Sequence, residues 1–146
     1  MRMVLLTCAL AMMSVGGSET PPCECEPTVS PAQAFERADL VFFGRPSDFY
    51  YGAGANREWH QYWEFDVEGV WKGPAQPHLR IYASGSEGPG SCDGYFKVGE
   101  RYLVYAYLEE KFSNRYLVSG CSRTTIAERS LRDLGFLGKP SHSFPE

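Results

Sequence analysis

The chain has 146 residues, with 14 basic and 18 acidic side chains and a formal net charge of −4. That length suits one domain. A mildly acidic chain with no basic run lacks the positive footprint a nucleic-acid binder needs, which excludes that class.

Residues 1–17 read as a secretory signal peptide. Arg2 supplies a basic start, Met3 to Met13 is a mostly apolar run, and the small residues Ser14, Gly16 and Gly17 follow. A membrane span needs about 20 apolar residues, more than this run supplies. The expectation is therefore an exported protein, extracellular or periplasmic, with no membrane span. Residues 18–22 form a short lead-in, 23–138 the folded domain and 139–146 a flexible, frayed tail.

Removing the leader takes Cys8 with it and leaves Cys23, Cys25, Cys92 and Cys121. Four cysteines in a small exported domain read as two disulfides. Zinc would prefer two Cys-x-x-Cys pairs, whereas the one close pair here is Cys-x-Cys. A Cys23–Cys25 bridge would be a strained small ring. Each of the other two pairings ties the N-terminal segment to two distant places. The loops they close are roughly 70 to 100 residues long, for which chain entropy assigns about 4–5 kcal/mol each as an upper value.

In chain order, Ser30-Pro31-Ala32-Gln33 is a capping box that opens a short helix, with Ala34, Phe35 and Ala38 on its inner face. Leu40 to Gly44 reads as a short strand, followed by a loop from Pro46 to Glu58 carrying Phe49, Tyr50 and Tyr51. Trp59 to Trp71 is the longest strand: Trp63, Phe65 and Val67 alternate with Glu64, Asp66 and Glu68, the period of a sheet with one wet face. Gly69 breaks that alternation and marks a bulge. Leu79 to Ala83, Arg101 to Leu108 and Tyr116 to Val118 are three further strands. Thr125 to Glu128 forms a second capping box, opening a helix that Gly135 would end. Five short strands without a βαβ rhythm predict an all-β fold with short flanking helices, a five-stranded OB-fold Greek-key barrel.

Several motifs occur in a telling order. They are Cys23-x-Cys25-x-Pro27, Ala34-Phe35, Ala38-Asp39-Leu40-Val41, Val70-Trp71-Lys72-Gly73, Gly99 with Tyr102-Leu103-Val104-Tyr105, and Gly120-Cys121-Ser122-Arg123-Thr124. Together they resemble the inhibitory N-terminal domain of tissue inhibitors of metalloproteinases, within the netrin-like module superfamily. The resemblance covers roughly residues 23–138. It implies an OB-fold barrel with bridges Cys23–Cys92 and Cys25–Cys121. It also implies a protease-binding ridge made of Cys23, Glu24, Cys25, Glu26, Pro27 and Thr28 beside Gly88, Pro89, Gly90 and Ser91.

In that family the α-amino nitrogen and carbonyl oxygen of the first cysteine chelate the protease's catalytic zinc and displace the attacking water. Here that residue is Cys23, and Glu24 would point into the specificity pocket. The implied partner is a zinc metalloproteinase or another extracellular protein, met by a monomer with no cofactor of its own. The alternative is a non-inhibitory netrin-like binding module that keeps the barrel without a free N-terminal cysteine.

The sequence departs from the family pattern at four places. Glu36 stands where a third bridge cysteine would be, no disulfide-rich C-terminal subdomain follows, and Glu24 replaces a small hydroxyl residue. Finally, Pro22 precedes Cys23. Cys23 chelates only as the mature N-terminus, because an amide nitrogen has its lone pair delocalised into the peptide bond, whereas a free α-amino group with a pKa near ~8 yields its proton to a metal.

No catalytic constellation is legible. His60, His78 and His142 are scattered, His-Glu-x-x-His does not occur, and Ser84 to Gly88 is no nucleophile elbow. The acidic row Glu64, Asp66, Glu68 reads as a solvated strand face, and the expectation is a protein that binds without catalysing.

Overall fold

The computed structural model describes residues 29–53, 59–83, 96–109 and 115–145. Helix α1 (Pro31–Arg37) is followed by β1 (Leu40–Ala53), β2 (Trp59–Lys72), β3 (His78–Ala83), β4 (Tyr102–Leu108) and β5 (Tyr116–Val118). Then come β6 (Thr125–Ile126), a 3-10 turn (Ala127–Arg129), α2 (Leu131–Leu137) and β7 (His142–Ser143).

The first five strands close on themselves in the circuit β1-β2-β3-β5-β4-β1. The β3–β5 pair is parallel, and the others are antiparallel. This is the expected all-β, OB-fold-like five-stranded barrel with flanking helices. Closure removes the free sheet edges that would otherwise template pairing with another chain.

Alternation on β2 sends Trp63, Phe65 and Val67 into the barrel, at 2%, 0% and 4% exposure. Phe42, Ile81, Tyr102, Val104 and Val118 meet them there. Phe96, just before β4, is the hub. Its ring stands edge-on to Phe65, Trp63 and Tyr102 with centroids 4.9, 5.2 and 5.0 Å away, geometry that suits the aromatic quadrupole. Its carbonyl accepts from the Trp63 indole N–H at 3.1 Å.

A second apolar layer lies outside the barrel. Val41, Leu103 and Tyr105 face Ala34 of α1 and Ala38 just after it, with Leu134 and Leu137 of α2 packed alongside. Strand β4 is thus buried on both faces, which is why its sequence reads as a nearly continuous apolar run.

Helix α1 forms as its capping box requires. The Gln33 amide N–H donates to Ser30 Oγ, and the Ser30 N–H donates to the Gln33 side chain. At its other end the Lys72 ammonium donates to the carbonyls of Phe35 and Glu36, both at 3.0 Å. Gly73, at φ +93°, turns the chain after β2 in a conformation other residues avoid, pressed against the Asp39 carbonyl and Leu40.

Three local expectations are corrected. Of the expected loop from Pro46 to Glu58, Pro46 to Ala53 is strand instead, and residues 54–58 lie outside the described residues: β1 runs on to Ala53 and pairs with β2 through Gly52↔His60 and Ala53↔Trp59. The polar and glycine content there reads as a loop, but β2 supplies partners for the backbone groups, and Pro46 falls where β1 no longer pairs with β4.

Thr125 does not cap a helix. Thr125 and Ile126 pair with β4, and α2 starts only at Leu131. Gly135 sits inside α2, which ends at Gly138 (φ +65°), because Leu134 and Leu137 carry the helix onto the second apolar layer.

The stretch after Lys139, expected as a frayed tail, lies along β2. Gly69 and Val70 pair with Ser143 and His142, and the Phe144 N–H donates to the Glu68 carbonyl at 2.9 Å. Gly69 leaves room for this approach: a Cβ there would meet the Pro140 ring at 3.2 Å. A bulge falls beside it, as the sequence indicates, because Phe43↔Gly69 is followed by Gly44↔Val67.

Candidate functional site

Of the expected bridge cysteines and ridge residues, only Cys121 falls among the described residues. Cys23, Glu24, Cys25, Glu26, Pro27, Thr28, Gly88, Pro89, Gly90, Ser91 and Cys92 lie outside them. Cys121 is disulfide-bonded. It follows β5 in a turn where its N–H donates to Ser119 Oγ at 3.1 Å.

Val29, the first described residue, packs half-buried against the outer apolar layer. Its carbonyl oxygen accepts from Arg123 Nη1 at 2.7 Å. The other side of the same guanidinium faces Asp133 of α2. Nε donates to Asp133 Oδ2 at 2.8 Å, and Nη2 donates to Oδ1. Tyr105 of β4 donates its hydroxyl to Oδ2 at 2.9 Å. Asp133 is 2% exposed, so its hydrogen bonds come from these two neighbours, with the Arg132 charge adding to them.

The electrostatics follow from that geometry. Burial pushes the Asp133 carboxyl up, but the hydrogen bonds from Arg123 and Tyr105 outweigh it and hold the group below its ordinary value. Burial, and then the hydrogen bond to Asp133, pushes Tyr105 well above the ordinary phenol range. Arg123 is raised by its bond to Asp133. At neutral pH the cluster is an ion pair plus a neutral phenol, so it holds geometry and offers no proton for transfer.

Other contacts concentrate at this pole. Thr124 Oγ1 accepts from the Tyr105 N–H, Asp39 Oδ2 accepts from the Leu108 N–H at 2.8 Å, and the Asp39 N–H donates to the Ala106 carbonyl at 2.9 Å. A mostly apolar cavity of about 260 Å³ opens here, walled by Val29, Ala34, Ala38, Tyr105, Cys121 and Arg123. Sequence reasoning quoted Tyr105 and Arg123 inside motifs but missed their joint role, and it passed over Asp133. The available signal was a lone acid inside the apolar helix LRDLGFL.

Elsewhere, each acid of the row on β2 has a hydrogen-bonding partner. Arg80 donates to Glu64 at 2.6 Å, His78 lies 3.0 Å from Asp66, and Arg101 pairs with Glu68. Tyr50, Tyr62 and Tyr82 form a cross-strand ladder with centroids 4.9 and 5.3 Å apart, while Arg80 lies over Tyr62 and Arg115 over Tyr82. Phe49, Tyr50 and Tyr51 are 42%, 45% and 55% exposed.

Among the described residues, no cluster of His, Cys, Asp and Glu could hold a metal ion, and no helix is long and apolar enough to cross a membrane. No protein-family model matches the chain, and no curated protein matches it.

Proposed function

We propose that the chain is an exported inhibitor of zinc metalloproteinases, related to the tissue inhibitors of metalloproteinases, that inserts its disulfide-pinned N-terminal segment into the protease cleft. Cys23 would present its α-amino nitrogen and carbonyl oxygen to the partner's zinc, with Glu24 beside it and Gly88 to Ser91 flanking. The bridges would be Cys23–Cys92 and Cys25–Cys121. No covalent step is involved; the zinc-bound water leaves, and with it the nucleophile of peptide hydrolysis.

One observation carries this reading. Residues from several of the motifs behind the family resemblance (Phe35, Val41, Lys72, Tyr105, Arg123 and Thr124) are scattered through the sequence but come together toward one end of the barrel. Val41 pairs with Lys72 on one side and Tyr105 on the other. Tyr105 is tied to Thr124, and Arg123 holds Val29, the residue next to the proposed ridge. A fold that spends its motif residues around the entry of one segment is suited to presenting that segment rigidly, and rigidity lowers the entropic cost of binding.

A second reading, a netrin-like module that binds without chelation, draws on Pro22 preceding Cys23 and on the exposed Tyr50–Tyr62–Tyr82 ladder. Intact mass of the native exported protein separates the two, combined with inhibition assays on a panel of zinc proteases. A mature chain starting at Cys23 that inhibits, and that loses inhibition when one residue is added before Cys23, supports chelation. A chain starting at Cys23 that inhibits none of the panel refutes it.

A further inference from the structure

Helix α1, strand β4 and the turn after β5 do not close fully on one another. Between them lies a mostly apolar recess of about 260 Å³. Ala34, Ala38 and Tyr105 line it from the buried side, and Tyr107 lines it from the same face of β4, two residues on. Small side chains on the helical side thus stand opposite large rings on the strand. Well-packed protein interiors leave few voids larger than a water molecule, and an apolar cavity of about 150 Å³ is enough to take benzene. This recess has room for a ring with a short substituent.

Most polar groups on its walls are already committed. Arg123 is held by Asp133 and the Val29 carbonyl, and the Tyr105 hydroxyl donates to Asp133. Ser119 Oγ accepts from the Cys121 N–H at 3.1 Å, and Ser122 Oγ accepts from the Thr124 N–H at 3.3 Å. Each of these hydroxyls keeps its own proton to donate. Arg37 is different. It lines the recess from the last turn of α1, is exposed, and pairs with no acid among the described residues.

These walls select a ligand by its chemistry. Water inside an apolar hollow finds few partners, so an apolar group that displaces it gains affinity. The wall supplies one cation and two hydroxyl donors, which match a head that is anionic and accepts hydrogen bonds. A cationic head would meet Arg37 unfavourably, and a neutral one would forgo the ion pair.

We propose that this recess is a binding site for a small carboxylate with an apolar, ring-sized body. The body lies between Ala34, Ala38 and the two tyrosines, and the carboxylate faces Arg37, with Ser119 and Ser122 as further donors. Binding is non-covalent. Such a site is independent of the inhibitor reading, and either can fail alone.

The test uses the full, disulfide-intact chain and two probes of one shape, phenylacetate and the neutral phenylacetamide. Calorimetric titration measures both affinities, and backbone-amide NMR locates the binding. Phenylacetate should shift the amides of Ala38, Tyr105, Tyr107 and Ser122. It should bind roughly threefold more tightly than phenylacetamide, the gain expected of one exposed ion pair. Arg37→Gln, at an exposed position, should erase that difference and leave phenylacetamide binding unchanged. Ala38→Leu fills the recess and should abolish the binding of both probes.

Absence of shifts at those amides with either probe overturns the proposal. So does equal affinity for the two probes, a preference that survives Arg37→Gln, or binding that survives Ala38→Leu. Should Ala38→Leu fail to fold, Tyr107→Ala removes a half-buried ring from the wall. It should weaken both probes, and undiminished binding would then overturn the proposal.

Discussion

Tyr105 and Thr124 are tied to each other twice through one hydroxyl. The Tyr105 N–H donates to Thr124 Oγ1 at 2.9 Å, and that hydroxyl donates back to the Tyr105 carbonyl at 3.1 Å. A side chain here completes the β4 backbone next to the two-residue strand β6, which stops at Leu103↔Thr125. Thr124→Val keeps the shape and strands both Tyr105 backbone groups, which predicts a loss of about 1–3 kcal/mol in chemical denaturation. Thr124→Ser should recover most of it.

Asp133 makes stability depend on acid pH. Its carboxyl is pushed up by burial but held below the ordinary value by hydrogen bonds from Arg123 and Tyr105, with the Arg132 charge adding to the effect. A carboxyl lowered on folding contributes stability that is fully present above its unfolded value near ~4 and is lost as the pH falls through the folded value. Asp133→Asn should therefore cost most at neutral pH. Urea unfolding of the two proteins should converge progressively as the pH drops below that point.

The aromatic hub predicts a sharp contrast between two large side chains. Phe96 touches three aromatic rings inside the barrel, so Phe96→Ala should cost about 3–5 kcal/mol. Leu131 is 76% exposed at the start of α2, and Leu131→Ala should change stability by no more than about 0.5 kcal/mol. Thermal or denaturant melts distinguish the two directly.

Cys121, just beyond β5, is disulfide-bonded. Cys121→Ser, or reduction of the native protein, should lower stability by about 2–5 kcal/mol. Melts with and without a thiol reductant measure this, and the substituted chain should no longer respond to the reductant at that bridge.

The alternation Trp63-Glu64-Phe65-Asp66-Val67 was sufficient to place a strand and its buried face, since a period of two depends only on local geometry. The Ser30–Gln33 capping box was equally legible, because its two hydrogen bonds form within a single turn. The second box, at Thr125, has the same letters and a different fate: the neighbouring backbone of β4 competes for the same residues and wins. A motif whose bonds are local can be read from letters, but its outcome cannot when a tertiary partner offers the same backbone groups more.

Composition, period and caps therefore specified an all-β barrel with small helices, and the order of motifs supplied the family expectation. Only the tertiary structure decided that β1 extends to Ala53, that the segment after Lys139 packs on β2, and that Tyr105, Arg123 and Asp133 meet beneath Val29. Each of these depends on partners far apart in sequence. No single stretch of letters carries the energy of such a contact, because desolvation and its compensation are set by what arrives from elsewhere in the chain.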